Sequence, residues 1–458
     1  MNVLEDTIIA VSTPFGHGGL GVVRLSGPES LGIARKLFKQ KKRNKIRDFP
    51  RRLVFGNLFD FEKRRPFDEA YLAFFPGPNS YTREDMVELS SHGSPIILEE
   101  VVRLGLKAGA RHAHPGEFTL RAYLHGRIDI LQAEAVNDLI MASSLEQAKI
   151  SFHQLGGRLS RKIFSLRSRL IRLLAQVEAS IEFPDEALSI SAGRISRGLE
   201  TLSVSLRKLI ESYQAGKGLR EGITLAIVGK TNVGKSTLFN ALLEKERAIV
   251  TPFPGTTRDY LEERLRIGNS FFRLIDMAGL GRPVHPVEEM GIRKGRKLAA
   301  ESDGLLLVFD VSRESTPEDS HLLKKFKDKK TIIVFNKMDL RKRMDQESIV
   351  RGLRDRPWLE VSALEGKNLD KLREKIASVF VPSRKKGEET ILHLRQKLIL
   401  EEILGHVKKG LDLLKAGYSE DVYVEEIRKS LPLIGRMTGE VSADDVIRDI
   451  FSRFCVGK

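Results

Sequence analysis

The stretch ITLAIVGKTNVGKSTLFNALL, residues 223–243, decides the fold of the middle of this chain. It opens with a short apolar run typical of a buried β-strand and closes with a segment that suits a helix. Between them, GKTNVGKS (229–236) matches the pattern G-x-x-x-x-G-K-[ST]. Such glycines let backbone N–H groups surround a phosphate, and the following helix adds the positive end of its dipole. Lys235 is expected to reach the β- and γ-phosphates, and Ser236 to bind Mg²⁺.

Two motifs further along supply the remaining contacts expected around the phosphates. GTTRD (255–259) offers Thr257 as a second Mg²⁺ ligand. DMAG (276–279) ends a predicted strand with Asp276, and the N–H of Gly279 can turn toward the γ-phosphate.

Two more motifs favour guanine as the base. In NKMD (336–339), Asp339 can accept hydrogen bonds from N1–H and the 2-amino group of guanine, which adenine cannot supply. Asn336 is expected to contact N7 or O6, the stem of Lys337 to lie along the base, and SAL (362–364) to offer a backbone N–H to O6. The sequence therefore predicts a guanine nucleotide site. Its predicted contacts are Asn232, Val233, Gly234, Lys235, Ser236, Thr237, Thr251, Pro252, Phe253, Pro254, Gly255, Thr256, Thr257, Asp276, Met277, Ala278, Gly279, Asn336, Lys337, Asp339, Ser362, Ala363 and Leu364.

The residue that would activate the attacking water is less obvious. Many small GTPases place a glutamine directly after D-x-x-G, but here that position holds Leu280, whose apolar side chain cannot polarise water. Glu288 or Glu289 could hold the water through a second water, or both could be carboxylates favoured by a helix N-terminus. Arg258 is a candidate arginine finger.

The pattern along the chain indicates several domains. Residues 1–118 read as mixed α and β structure, and 220–380 alternate short apolar runs with helical segments, which is typical of a mostly parallel sheet. Residues 119–219 and 381–458 carry one-sided apolar stripes, which must be buried against one another in a single helical bundle. The α/β domain is thus predicted to be inserted into that bundle. The stripes comprise Ile163, Leu166, Leu170, Leu173, Val177 and Ile181; Leu199, Leu202, Leu206 and Leu209; and Leu400, Ile403, Val407, Leu411 and Leu414.

The charge balance points to an anionic partner. The chain of 458 residues carries 77 Lys and Arg against 61 Asp and Glu, a formal net charge of +16. This favours nucleic acid first and acidic lipid second, although a basic surface shared by a whole proteome is the alternative. The segment 39–52 is expected to be an exposed basic connection.

Other features bear on the compartment. A single cysteine, Cys455, excludes an internal disulfide framework and indicates a reducing environment. Glu5 and Asp6 stand where a secretory leader needs cations, and the longest apolar runs are too short to span a bilayer. The terminal C-V-G-K departs from a prenylation box at Gly457 and Lys458. We expect a soluble, cytoplasmic protein.

Taken together, these motifs resemble one family along essentially the whole chain. GKTNVGKS, GTTRD, DMAGL and NKMD, with FPGPNSYTREDMVELSSHG, HPGEFTLRAYLHGRIDILQAEAV and the terminal FCVGK, resemble the MnmE (TrmE) family of tRNA uridine-5-carboxymethylaminomethyl modification GTPases. The resemblance implies an N-terminal α+β tetrahydrofolate-binding-like domain, an all-α helical bundle, and a Ras-like P-loop GTPase α/β domain inserted into the bundle.

The resemblance also implies how hydrolysis works. Members are homodimers whose G domains pair in the triphosphate state when K⁺ fills a site beside the phosphates, where it supplies the charge of an arginine finger. Its ligands map to Asn232, Thr251, Phe253 through its carbonyl, and Thr256, and the catalytic carboxylate maps to Glu288. Met277 departs from the usual threonine, at a position whose neighbours Asp276 and Gly279 carry the motif's roles.

A formyl- or methylene-tetrahydrofolate site is implied in the N-terminal domain. Arg24, Glu88, Arg127 and Lys458 map to it, although the family commonly has lysine at position 127. The tail would bring Cys455 near the one-carbon unit, where the thiol either takes part in uridine modification or packs as a small apolar group.

The implied partners are tRNA and the flavoprotein MnmG (GidA), with which the protein would form a heterotetramer that modifies C5 of the wobble uridine. Two alternative functions are a ribosome-assembly switch that binds rRNA and a folate-dependent one-carbon transferase with a vestigial G domain. The intact Lys235, Ser236, Thr257 and Asp339 argue against the second alternative. The folate-type domain and the C-x-G-K tail argue against the first.

Overall fold

The computed structural model describes residues 5–41, 50–182, 191–244, 262–268, 270–276, 301–351, 356–381, 389–440 and 444–458. The chain divides into two compact units, one made of Met1–Asn137, Phe152–Gly198 and His406–Lys458, the other of Asp138–Ser151 and Leu199–Gly405. The strands are β1 Ile8–Val11, β2 Gly18–Ser26, β3 Phe38–Gln40, β4 Leu53–Asp60, β5 Arg65–Phe75, β6 Met86–Gly93, β7 Arg111–His112, β8 Ile223–Val228, β9 Glu262–Ile267, β10 Ser270–Asp276, β11 Gly304–Asp310, β12 Thr331–Asn336 and β13 Trp358–Glu360. The helices are α1 Ser30–Leu37, α2 Pro95–Lys107, α3 Glu117–Leu124, α4 Ile130–Ile140, α5 Leu145–Leu155, α6 Arg158–Glu182, α7 Ala192–Glu221, α8 Lys235–Glu244, α9 Pro317–Lys325, α10 Gln346–Arg351, α11 Leu369–Phe380, α12 Leu394–Lys415, α13 Glu420–Arg428, α14 Ser430–Thr438 and α15 Asp444–Ser452.

The first unit contains a sheet in the order β3-β4-β5-β6-β2-β1-β7. Its strands pair antiparallel, apart from the short parallel pairing of β1 with β7. Helices α1 and α2 cover one face and bury a continuous apolar core that includes Leu25, Leu72 and Leu104. The opposite face presents the alternate side chains of the same strands.

The second unit contains a doubly covered sheet in the order β13-β12-β11-β8-β10-β9. All of its pairings are parallel except that of the edge strand β9 with β10. One face packs against α8 and α11, and the other against apolar residues of α9 and α10. Every residue of β11 and β12 is buried, as expected for the middle strands of a parallel sheet covered on both faces. The predicted α/β architecture is confirmed.

The long helix α6 buries one apolar stripe, as its spacing predicts, with one correction. Ile163, Leu166, Leu170 and Val177 are buried, but the fifth buried position is Leu174 and not the predicted Leu173. Leu173 is only partly buried, and its side chain lies against Gly198, where an added Cβ would be 2.7 Å from it. The predicted Ile181 is also only partly buried. In the first unit, α6 packs against α13 and α14.

The other two predicted stripes are buried almost throughout. Leu199, Leu202, Leu206 and Leu209 of α7 are buried, and so are Leu400, Ile403, Val407 and Leu411 of α12. Leu414, at the end of α12, is partly exposed.

The segments before and after the second sheet meet at one buried carboxylate. Asp138 of α4 accepts hydrogen bonds from Arg220 Nε at 3.2 Å, near the end of α7, and is 2.7 Å from Nε2 of His393, just before α12. Ser212 Oγ also accepts a hydrogen bond from the backbone N–H of Ile391 at 3.2 Å. The chain therefore leads to and from the sheet through a shared junction.

Candidate nucleotide-binding site

The loop between β8 and α8 is shaped by close backbone packing. Gly234 has φ +94°, a conformation that L side chains rarely adopt, and an added Cβ there would collide with the side-chain amide of Asn336. An added Cβ at Gly229 would collide with the carbonyl of Val308 in β11. Asn232 also adopts a positive φ of 62°. Both glycines are therefore required by the shape of this loop, which leads into the N-terminus of α8.

Asn336 ties three predicted motifs together. Its side chain is buried at the end of β12, and its Nδ2 donates a hydrogen bond to the Val233 carbonyl at 2.9 Å. Its Oδ1 accepts a hydrogen bond from the backbone N–H of Ala363 at 3.0 Å. Asn336 thus braces the phosphate loop against the SAL segment. Since an amide nitrogen carries two hydrogens, one remains for the predicted contact with the base.

Lys337, which directly follows β12, is anchored to the phosphate loop. Its Nζ donates to the Asn232 carbonyl at 2.8 Å and to Asp310 Oδ2 at 2.6 Å. Burial by itself would raise the pKa of Asp310, but the hydrogen bonds from Lys337 and Ser312 outweigh it and keep that pKa below its ordinary value. The anchored ammonium fixes the aliphatic stem of Lys337, as a stem that lies along a base requires.

Asp339 has an acceptor without a partner. Among the described residues, no hydrogen bond reaches its buried Oδ1. A buried acceptor left unpaired costs free energy, so such atoms normally find donors in the protein, in water or in a ligand. The two neighbouring N–H donors of guanine are the groups that the sequence assigns to this carboxylate, and the orphaned oxygen fits that assignment.

The residues predicted to contact the phosphates lie at the start of α8. Lys235 is buried, and its Nζ donates to the Lys230 carbonyl at 2.7 Å, so it is held across the loop that would receive the phosphates. Ser236 and Thr237 are exposed in the first turn of the helix. Asp276, the first residue of DMAG, ends β10 beside Ile227 of β8, the strand that leads into the phosphate loop.

A second anchor of the loop was missed in the sequence. Nζ of Lys230 contacts Thr316 Oγ1 and lies 2.6 Å from Asp319 Oδ2. Thr316 and Asp319 form the capping box at the N-terminus of α9. The T-x-x-D spacing before an apolar run was the signal that could have found the cap, but nothing in the sequence assigns it a lysine of the phosphate loop.

Several predicted site residues lie outside the described residues: Thr251, Pro252, Phe253, Pro254, Gly255, Thr256, Thr257, Met277, Ala278, Gly279 and Glu288, with Arg258, Leu280 and Glu289. Of the remaining nucleotide contacts, Ser362 is fully buried and Leu364 is exposed.

Three of the four predicted folate residues, Arg24, Glu88 and Arg127, lie close together beside Tyr81. Arg24 of β2 stands opposite Glu88 of β6, and its Nε and Nη2 both donate to Glu88 Oε1, at 3.0 and 2.7 Å. The guanidinium groups of Arg24 and Arg127 lie 5.7 and 4.6 Å from the ring centre of Tyr81. Tyr81, whose pKa is raised by burial, was missed by sequence reasoning. The cluster offers cations and a carboxylate suited to a pterin that carries glutamate.

The C-terminal tail docks beside this cluster. The backbone N–H of Phe118 donates to the Lys458 carbonyl at 3.1 Å, and the ring of Phe118 lies 5.6 Å from the Arg24 guanidinium. Gly457 has φ +90°, and its carbonyl accepts a hydrogen bond from Ser12 Oγ at 3.0 Å. Cys455 is exposed. The tail is thus held by main-chain contacts, and these leave the thiol accessible.

A buried ion network supports the helix on which the tail rests. Arg121 of α3 is fully buried, and its Nη2 donates to Asp6 Oδ1 at 2.5 Å and to Glu117 Oε1 at 3.1 Å. Its Nη1 lies 3.1 Å from Glu84 Oε1. Arg111 adds a bidentate contact to Glu117, with its Nη2 2.5 Å from Oε1 and its Nη1 3.0 Å from Oε2. This network was not predicted.

The fold and site together define a class: a P-loop protein with a guanine-specific site, joined to a second sheet that carries a docked C-terminal tail. The chain matches the family models "MnmE helical domain" over residues 130–455 and "GTP-binding protein TrmE N-terminus" over 7–127. The tRNA modification GTPases MnmE of Aquifex aeolicus and Thermotoga maritima are each 39% identical to it, covering 99% of this chain and 100% of theirs. The corresponding protein of Alkaliphilus metalliredigens is 36% identical over the same shares.

The chain therefore belongs to the MnmE family of tRNA modification GTPases. It is a GTP hydrolase, and the predicted combination of an N-terminal TrmE-type domain, a helical domain and a G domain is confirmed. Among solved structures, Aquifex aeolicus Era is 27% identical, with coverage of 41% of this chain and 66% of that chain and a TM-score of 0.29, a likeness too limited to support an argument. In the described part of the chain, no helix combines the length and apolar character needed to cross a membrane.

Proposed function

We propose that this tRNA-modifying GTPase acts through K⁺-dependent pairing of its G domains, together with the flavoprotein MnmG (GidA), to add a carboxymethylaminomethyl group at C5 of the wobble uridine U34 of certain tRNAs. The observation that carries the proposal is that the chain of an MnmE family member combines the guanine-site motifs with a C-terminal tail docked beside the predicted folate cluster. We infer that the protein works as a cytoplasmic homodimer and forms a heterotetramer with MnmG. The domain boundaries at residues 118, 219 and 380 stay part of this proposal.

The K⁺ site is proposed from the phosphate loop and the loop that follows α8. Asn232 is exposed, and its carbonyl is already engaged by Lys337, so its side chain is the group left to bind a cation. Thr251, Phe253 and Thr256 are the other proposed ligands. K⁺ would supply positive charge beside the developing negative charge on the phosphates, as an arginine finger does elsewhere. Ser236 and Thr257 are proposed to hold Mg²⁺.

Glu288 is proposed to orient the attacking water, since Leu280 cannot. A carboxylate can do this directly or through one bridging water. The role is carried over from the family.

Potassium should stimulate hydrolysis strongly. We expect GTP turnover by the full-length protein in KCl to exceed that in NaCl at equal ionic strength by about tenfold or more, because a missing transition-state charge costs several kcal/mol. Asn232→Ala should remove the stimulation, and Glu288→Ala should abolish turnover while GTP affinity stays unchanged. Equal rates in KCl and NaCl would contradict the proposed cation site.

The folate cluster and the tail are proposed to serve the modification itself. Arg24, Arg127, Glu88 and Lys458 would hold 5-formyl- or 5,10-methylene-tetrahydrofolate, which supplies a one-carbon unit when bound. The exposed thiol of Cys455 either takes part in that chemistry or contributes packing alone.

Mass spectrometry of wobble uridines tests the modification. A strain that lacks this gene should lose the C5 modification, and the wild-type gene should restore it. Cys455→Ser separates the two roles of the thiol, since full restoration would leave it only a packing role. If the deletion strain and its parent contained the same amount of C5-modified wobble uridine, U34 would be rejected as the target.

A further inference from the structure

The solvent face of α6 carries an unbalanced positive charge. Between its first residue and Val177, the helix has cations and no carboxylate, and the first acidic residue is Glu178. The cations are Arg158, Arg161, Lys162, Arg167, Arg169 and Arg172. Most helices of water-soluble domains interleave both signs, so this distribution calls for a physical reason.

The helical period separates these cations from the buried stripe. At 3.6 residues per turn, Arg158, Arg161, Lys162, Arg169 and Arg172 fall within an arc of about 100°. All of them are exposed, whereas Leu159, Ile163, Leu166, Leu170, Leu174 and Val177 line the buried side. Ser165 is exposed within the same arc and Ser168 just outside it, and both add hydroxyl donors. We call the residues of this arc, 158 to 172, the basic face.

The basic face is not neutralised by nearby carboxylates. Arg167 lies outside the arc, and it is the residue that pairs with Glu440, at 3.0 Å. Arg161 donates to the Gly156 carbonyl, and Arg158 contacts the ring of His153. Within the described ranges, Lys162, Arg169 and Arg172 have no ion pair or hydrogen bond from their side chains. Five positive side chains on one side of a helix create an electrostatic field that attracts an extended anion.

We propose that the basic face of α6 binds the phosphate backbone of the tRNA substrate. From Arg158 to Arg172 the helix rises about 21 Å, so the cations can follow several consecutive phosphates. Arginine suits this role because its guanidinium binds a phosphate through two donors. Contacts of this kind to phosphates position a nucleic acid and carry no direct sequence information.

An anionic membrane is the less favoured partner. A helix that lies in a lipid surface must expose its apolar side to the acyl chains. In α6 that side is already buried against α13 and α14 in the first unit. Phe164 and Ile171 are exposed on the flank of the helix, but the basic face itself offers charge and hydroxyl groups, which suit a polyphosphate partner.

The test compares two variants with the same loss of charge. R161Q/K162Q/R169Q/R172Q removes four cations from the basic face, whereas R207Q/K208Q/K371Q/K408Q removes four exposed cations from other helices. Filter binding of full-length protein to unmodified tRNA is measured between 50 and 200 mM salt. We expect the first variant to bind about 10- to 100-fold more weakly at 100 mM salt and its slope of log K against log [salt] to be about 3 smaller in magnitude. The second variant should stay within about threefold of the wild type.

Several results would overturn the inference: no tRNA binding by the wild type at 50 mM salt, equal losses of tRNA affinity in both variants, or stronger retention of the protein by phosphatidylserine vesicles than by tRNA.

Basal GTP hydrolysis confirms that each variant folds, since none of these residues belongs to the nucleotide site. If the first variant does not fold, the rate of chemical acetylation of Lys162 is measured in the wild type with and without tRNA. The proposal requires that bound tRNA slow this acetylation. The inference rests on the family's tRNA substrate. Binding is measured without MnmG, so a failure of the K⁺ or U34 proposal leaves it intact.

Discussion

Asp339→Ala should lower GTP affinity about 10²- to 10⁴-fold. The carboxylate is assigned two hydrogen bonds from guanine, and hydrogen bonds to a charged group contribute about 1.5–3 kcal/mol each. Its Oδ1 has no partner among the described residues, so no hydrogen bond to that atom is lost; the charge of the carboxylate acts on Lys367. Affinity is measured by displacement of a fluorescent guanine nucleotide.

Inosine triphosphate provides the control for this prediction. It lacks the 2-amino group, so wild-type protein should bind it about 10- to 100-fold more weakly than GTP, whereas Asp339→Ala should bind the two equally. Asn336→Ala makes a useful contrast. It removes the brace to Val233 and Ala363 and should weaken both nucleotides alike. A variant at position 339 that still discriminates between them would show that another group reads the base.

Arg121→Met should destabilise the first unit by about 3–5 kcal/mol, the usual cost of breaking a buried ion network by removal of one partner. The substitution fills the space but leaves Asp6, Glu84 and Glu117 without their shared cation. Hydrogen exchange of β1, β2 and α3 amides should speed up. Trp358, the sole tryptophan, lies in the other sheet. Its fluorescence should report an unchanged unfolding transition there.

The effect of Arg121→Met should depend on pH in a defined direction. Burial alone would raise the pKa of Glu117, but hydrogen bonds from Arg111, the His114 backbone and Arg121 outweigh it, so the pKa lies below the ordinary 4.5. Stability from such a lowered pKa is present above about pH 4.5 and is lost as pH falls through the folded-state value. The difference in free energy of unfolding between the wild type and Arg121→Met should therefore become smaller as the pH falls below about 4.5.

Arg103→Met is the matched control for Arg121. Arg103 pairs with Glu62 and Glu100, but at the surface, where solvent screens the interaction. The Arg103→Met substitution should leave hydrogen exchange of the β1, β2 and α3 amides unchanged. Equal effects of the two substitutions would mean that burial of the Arg121 network does not matter.

The G domain was largely predictable because its strands are short, continuous and apolar. β8, β11 and β12 coincide with the short apolar runs ITLAIV, GLLLVFD and TIIVFN, since parallel strands buried on both faces have a simple sequence pattern. The edge strand β9 was missed. There Leu265 and Ile267 alternate with charged residues, and only one side is buried.

The polar interior was harder to predict. A charged residue in an amphipathic helix is normally exposed, so nothing marked Arg121 as buried apart from its i,i+4 spacing to Glu117. Leu173 and Leu174 are neighbours on α6, and which of them is buried depends on the partner helices rather than on the period. The nucleotide motifs named the residues Asn336 and Lys337, but the roles of these residues as a brace and an anchor come from contacts far apart in sequence.

The shared junction at Asp138 has an evolutionary consequence. Because Arg220 and His393 reach the same carboxylate, the two ends of the intervening segment lie side by side. A module with adjoining termini can be acquired in a single genetic event, since the host polypeptide need only open one connection to accept it. The ancestor of this protein could thus have gained its nucleotide switch whole, without rebuilding the helices that received it.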